Sequence, residues 1–127
     1  MMLLEVIQGT YAVCQMPTGG GDMRWINKSG FWSVTETDEE VSVICLDECL
    51  PERMSKESGW ALIRVAGPLD FSLVGILSSI LTPLAESGIS VFTLSTFNTD
   101  YIMVKHTQLA QAVSVLAYSG YSIRGDD

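Results

Sequence analysis

The sequence predicts an α+β fold whose second half runs βαββαβ, two helices lying on one face of an antiparallel sheet. Apolar residues recur at helical spacing from Leu73 to Leu84, short β-branched runs flank that stretch, and turn residues separate the runs. Trp60 to Val65 is a short, mostly apolar run closed by Gly67-Pro68, the pattern of a buried strand entering a tight turn. In the first helix Leu73, Ile76, Leu77, Ile80, Leu81 and Leu84 share one face, Asp70 or Ser72 can cap the start, and Gly88 can end it in left-handed geometry. Pro83 falls inside this pattern and removes one backbone hydrogen bond, so a kinked last turn is expected.

Ile89 to Thr96 reads as the second strand, Phe97-Asn98-Thr99-Asp100 as a turn, and Tyr101 to Lys105 as the returning strand of a hairpin. Thr107 can cap a second helix striped by Leu109, Ala112, Val113 and Leu116, with Gly120 at its end and a last strand over Tyr121 to Arg124. Because Trp60, Leu62, Phe92, Leu94, Ile102 and Val104 alternate with apolar neighbours, both sheet faces carry hydrophobic side chains. The face without helices needs a cover, supplied by the N-terminal half or by a second copy.

The N-terminal half is less regular. Tyr11 to Met16 suits a strand, Pro17 to Gly21 a flexible loop, Asp22 to Lys28 two helical turns, and Phe31 to Glu36 with Val41 to Leu46 a hairpin joined by Thr37 to Glu40. The polar, acidic stretch from Asp47 to Gly59 reads as a surface connection with room for one helical turn. Residues 1–58 and 59–127 are therefore the expected domains, each of about 60 residues, near the lower size at which a domain stands alone. Sharing a sheet or a packed face is the expected remedy.

Composition excludes several classes. With 47% hydrophobic and 17% charged residues in 127, the chain is no disordered segment. No run approaches the ~20 apolar residues of a membrane span, and the first residues lack a basic start and long apolar stretch, so a cytoplasmic, membrane-free protein is expected. A net charge of −8 repels phosphate backbones, which argues against nucleic acid as a partner. Cys14, Cys45 and Cys49 are odd in number and, with only His106 to join them, read as structural thiols; no metal is expected. Gly19-Gly20-Gly21 lacks the Lys-Ser/Thr pair of a phosphate loop, and no cofactor motif is present. No nucleophile, base and orienting group can be assembled, so catalysis is not expected.

Two polar segments remain as candidate binding residues. Gly67-Pro68-Leu69-Asp70-Phe71 joins a strand to a helix: its backbone N–H groups could hold a carboxylate and Asp70 an ammonium group, or Asp70 is only a helix cap. Ser95-Thr96-Phe97-Asn98-Thr99-Asp100 gathers hydroxyls, an amide and a carboxylate at a strand end, where either ligand contact or ordinary turn chemistry accounts for them.

The order βαββαβ, with GPLDF entering the first helix, Gly75 inside it, AESGISVF leaving it and LSTFNTDYIMV forming the hairpin, resembles the ACT domain, a ferredoxin-like regulatory module that binds small molecules. The likeness covers Trp60 to Arg124, and LSTFNTDYI over residues 94 to 102 is its most specific part. YAVCQMP and GFWSVTETDEEVSVIC resemble a degenerate first unit, packed with the other, of small bacterial proteins with two ACT-like units. These in turn are akin to the ACT repeats of animal cytosolic arginine sensors. The resemblance implies an amino acid held between paired units by the first strand-to-helix loop of one and a strand end of its neighbour, here Gly67, Leu69, Asp70 and Phe71 in the loop and Ser95, Thr96, Phe97, Asn98 and Asp100 at the hairpin. It departs from metabolic-enzyme ACT units, whose D-x-x-G loop has here only Asp70, displaced relative to Gly75. The expected function is a non-enzymatic, homodimeric sensor of a small ligand. The alternative is an adaptor that binds a partner protein by its sheet face or edge and holds no ligand.

Overall fold

The computed structural model describes residues 3–18, 22–26, 30–51, 54–66 and 75–125. Among these the chain forms β1 (Leu3–Met16), β2 (Ser33–Glu36), β3 (Val41–Leu46), β4 (Ser55–Val65), α1 (Ile76–Glu86), β5 (Phe92–Ser95), β6 (Asp100–Lys105), α2 (Leu109–Tyr118) and β7 (Ser122–Arg124). It divides into two compact units, Met1–Gln8 with Ala61–Asp127, and Gly9–Trp60. Strands β1 and β4 give residues to both; in β1 the division falls at Gly9, whose φ of 117° is open to glycine alone.

In the unit built on the C-terminal half, the strands run β7-β1-β4-β6-β5. The βαββαβ order read from the sequence is present, with the start of β1 inserted between its first and last strands. Leu3 pairs with Ser122 and Glu5 with Arg124 in a parallel ladder, while the Ala66 N–H donates to the Leu3 carbonyl at 2.9 Å. Alternation along the strands aims Leu4, Val6, Ala61, Ile63, Val65, Ile102 and Val104 at the helices, where they meet Ile80, Leu84, Leu109, Ala112 and Leu116 in one core. Each fully buried Leu or Ile contributes about 1.5–3 kcal/mol relative to leaving it in water. Leu62 and Met103, on the opposite face, are buried as well, so the sheet is apolar on both sides.

Helix α1 begins at Ile76, after Gly75 in left-handed geometry at φ 80°. The glycine therefore stands at the entrance of the helix and not inside it, as the resemblance implied. The expected caps Asp70 and Ser72 and the apolar Leu73 lie outside the described residues. Pro83 does not end the helix, which continues to Glu86 and closes with the Ser87 N–H donating to the Pro83 carbonyl at 3.2 Å. Gly88 takes φ 76° as the sequence predicts, and the Ile89 N–H reaches back to the Leu84 carbonyl at 3.0 Å. Helix α2 ends the same way through Gly120 at φ 103°. Its start differs from expectation: Thr107 makes no cap, because His106–Gln108 form a 3-10 turn that leads into Leu109.

The other unit holds the strand order β2-β3-β1-β4. β1 pairs antiparallel with β3 from Tyr11–Leu46 to Met16–Val41, and β2 with β3 from Ser33–Ile44 to Glu36–Val41. Cys14, Met16, Ile26, Val41, Val43 and Cys45 form its core, with Met23, Trp25 and Met54 packed against it. The Thr37 hydroxyl accepts the Glu39 and Glu40 N–H groups at 3.1 and 3.2 Å and closes the β2–β3 turn.

Three expectations here are corrected. Ser55 to Gly59 is the first part of β4 and not a surface connection: its side chains are polar because they face water, while pairing satisfies the backbone. The helical turns expected over Asp22 to Lys28 reduce, in the part described, to a turn with the Ile26 N–H on the Met23 carbonyl at 3.1 Å. β1 starts at Leu3, eight residues before the expected Tyr11, because Leu4 and Val6 are buried in the helix-covered core. No helix among the described residues is long and apolar enough to cross a membrane.

Candidate functional site

Strands β5 and β6 present the hairpin segment as one cluster. Phe92 pairs with Met103 and Ser95 with Asp100, and the Thr96 N–H donates to the Thr99 carbonyl at 2.8 Å, so Phe97 and Asn98 form the tip. The Ser95 hydroxyl donates to the Asp100 carboxylate, fixing that side chain at the end of the ladder. The Thr96 Oγ1 lies 3.3 Å from the Thr99 N–H that donates to it, which braces the turn from inside. Phe97, at the tip, is 82% exposed.

Thr99 points the other way. It is 5% exposed, and its hydroxyl donates to the Val65 carbonyl at 2.5 Å. That bond ties the hairpin turn to the last residue of β4, two positions before Gly67. The turn and the start of the strand-to-helix loop are thus held at the same end of the sheet. Gly67, Leu69, Asp70 and Phe71 themselves lie outside the described residues; Ser95, Thr96, Phe97, Asn98 and Asp100 are neighbours in the β5–β6 hairpin. Chemically the cluster offers a half-buried carboxylate for a cationic group, with hydroxyls and an amide beside it that both donate and accept.

A second charged group was not legible in the sequence. Arg64 on β4 donates to Glu5 on β1 through Nε at 3.0 Å and Nη2 at 2.5 Å, and Arg124 on β7 donates to the other carboxylate oxygen at 3.3 Å. The hydrogen bond from Arg64, with help from the Arg124 charge, holds the Glu5 carboxyl below its ordinary range against the opposing effect of burial. Spacings of 59 and 119 residues leave no local pattern to find.

The three cysteines are free thiols, Cys14 and Cys45 buried and Cys49 partly so. Cys45 hydrogen-bonds the Cys14 sulfur, lowering the Cys14 pKa, while that same contact and burial push Cys45 up.

Two helices on a βαββαβ sheet are the ferredoxin-like architecture, and the comparisons place the second half of the chain in a family with that fold. Residues 55–117 match the family model of the ACT domain, and residues 9–53 match a second model described as an N-terminal domain. The chain belongs to the ACT domain family. The cytosolic arginine sensor for mTORC1 subunit 1 of Bos taurus is 31% identical over an alignment of 98 residues that covers 68% of this chain and 30% of that protein. A crystal structure of an Agobacterium tumefaciens protein matches with a TM-score of 0.89 at 31% identity, covering 96% of this chain and 91% of that one. The regulatory subunit of aspartate kinase from Thermus thermophilus, at a TM-score of 0.61 and 8% identity over 92% of this chain and 94% of that one, shares the fold.

Proposed function

We propose that this chain is a non-catalytic regulatory module of the cytoplasm that binds an amino acid at an interface between ACT-like units, as a homodimer. The observation that carries the reading is the anchored hairpin: Thr99 fixes the turn on Val65, and Ser95 holds the Asp100 carboxylate toward the strand end. In this reading Asp100 takes the ligand's ammonium group, Ser95, Thr96 and Asn98 surround it, and the Gly67-to-Phe71 loop contributes backbone N–H groups and Asp70. The arginine-sensing relative supports the amino-acid class. Binding acts by population shift: a ligand that touches two units favours their packed arrangement only by its differential affinity for it.

Thermal unfolding of the full chain with each of the common amino acids tests the proposal. One amino acid at about a hundred times its Kd adds about 2.7 kcal/mol of stability, whereas Asp100→Ala removes the shift. A panel without any shift overturns the proposal and favours the adaptor reading. The exposed Phe97 and the half-exposed Phe92 on the outermost strand β5 are the features that would serve a protein partner.

A further inference from the structure

The cations of the unit built on the C-terminal half collect on one side of its sheet. Leu4, Val6, Ile63, Val65, Val104 and Ile123 turn to the helices, so alternation puts Glu5, Arg64, Lys105 and Arg124 on the opposite, helix-free face. Arg64, Lys105 and Arg124 are all the lysine and arginine residues this unit has. Its other described acids lie elsewhere, Asp100 on the face of Ile102 and Glu86 on α1. Glu5 binds both arginines without neutralising them: Arg124 gives it only Nε, at 3.3 Å, and keeps a side chain that is 58% exposed. Three cations against one carboxylate leave the face positive on a chain whose net charge is −8.

The opposite sign is equally concentrated. In the β2–β3 turn Glu36, Asp38, Glu39 and Glu40 put four carboxylates into five exposed residues. Gln15 donates to Glu40 at 3.2 Å, and no cation among the described residues forms an ion pair with any of the four. The described cations of that unit are already taken up by acids. Arg24 pairs with Asp22 at 2.6 Å, and Lys56 shares the lining of a pocket with Glu40 and Glu57.

Two copies of a chain this acidic repel one another unless patches of unlike sign meet. We infer that the acidic β2–β3 turn of one copy docks on the Arg64, Lys105 and Arg124 face of a second copy. The inference rests on the homodimer reading above and supplies its contact. In a two-fold dimer the contact is made twice, each copy giving its turn and receiving its partner's. Exposed ion pairs are individually weak and screened by salt, so the charges choose which surfaces meet, and the dimer loosens as salt rises.

Sedimentation of the full chain in low and raised salt reads the association. The wild type is expected to be a dimer in low salt and to shift toward monomer in raised salt. Arg124→Glu, and Asp38→Lys with Glu39→Lys, are each expected to be monomeric alone. Their equimolar mixture should dimerise again, because both contacts of the mixed dimer then join unlike charges. Arg124→Gln sets no second carboxylate beside Glu5, and should weaken the wild-type dimer about threefold or more even if Arg124→Glu fails to fold. A dimer that ignores salt and survives these substitutions would overturn the inference and leave the homodimer reading standing on another surface. A mixture that stays monomeric would also overturn it, and a wild type that is monomeric in low salt would overturn both.

Discussion

The hydroxyl of Thr99 donates to the carbonyl of Val65 across 34 residues of sequence, and through that bond the β5–β6 turn is held against the end of β4. The bond is buried, so bulk water does not take the place of a lost donor. Thr99→Val keeps the shape and removes the donor, and is expected to cost about 1–3 kcal/mol. Chemical denaturation of Thr99→Val and Thr99→Ser checks this; the serine variant keeps the hydroxyl and should stay near wild type.

Gly88 and Gly125 separate two costs of a side chain. Both have positive φ, 76° and 74°. A Cβ on Gly88 meets nothing within 4 Å, whereas on Gly125 it would lie 2.7 Å from the Val6 carbonyl oxygen. Gly88→Ala should therefore cost about 1–2 kcal/mol of backbone strain alone. Gly125→Ala should cost more, because β1 or the chain end must also move. Urea titrations of the two variants give the comparison directly.

The Glu5 carboxyl titrates below its ordinary value in the folded chain, chiefly through the Arg64 hydrogen bond. A depressed carboxyl contributes stability that is present above its unfolded pKa and is lost as pH falls through the folded one. Glu5→Gln should therefore lower the Tm at neutral pH, and the gap to wild type should close in acid, below the ordinary carboxyl value of 4.5. A gap that stays constant from neutral pH into acid would rule the linkage out.

Thiol exposure predicts an order of reaction. Cys49 is partly exposed while Cys14 and Cys45 are 3% and 0% exposed. A thiol reagent should modify Cys49 in the native protein and reach the other two at the rate of unfolding. Mass spectrometry of partly labelled protein gives the order.

Much of the fold was legible because its signals are local. The β5–β6 hairpin shows in β-branched runs and turn residues, although its first strand starts at Phe92 and not at Ile89, and Gly88 and Gly120 mark helix ends because left-handed geometry needs glycine. What was not legible depends on distant partners. Ser55 to Gly59 looks like a connection until the strand beside it satisfies its backbone, and Leu3 to Gln8 gains its place from α1, α2 and β7. The hairpin cluster of Ser95, Thr96, Asn98 and Asp100 was visible as polar residues at a strand end. The inward Thr99, the only buried polar side chain among the described residues, looked like any other turn threonine.

Calorimetric titration of the wild-type chain and Asp100→Ala with each of the twenty amino acids tests the central claim most directly. One amino acid should bind the wild type, and its affinity for Asp100→Ala should fall at least tenfold, about 1.4 kcal/mol. Equal affinity for the two proteins, or no heat from any amino acid with the wild type, would contradict the proposed site.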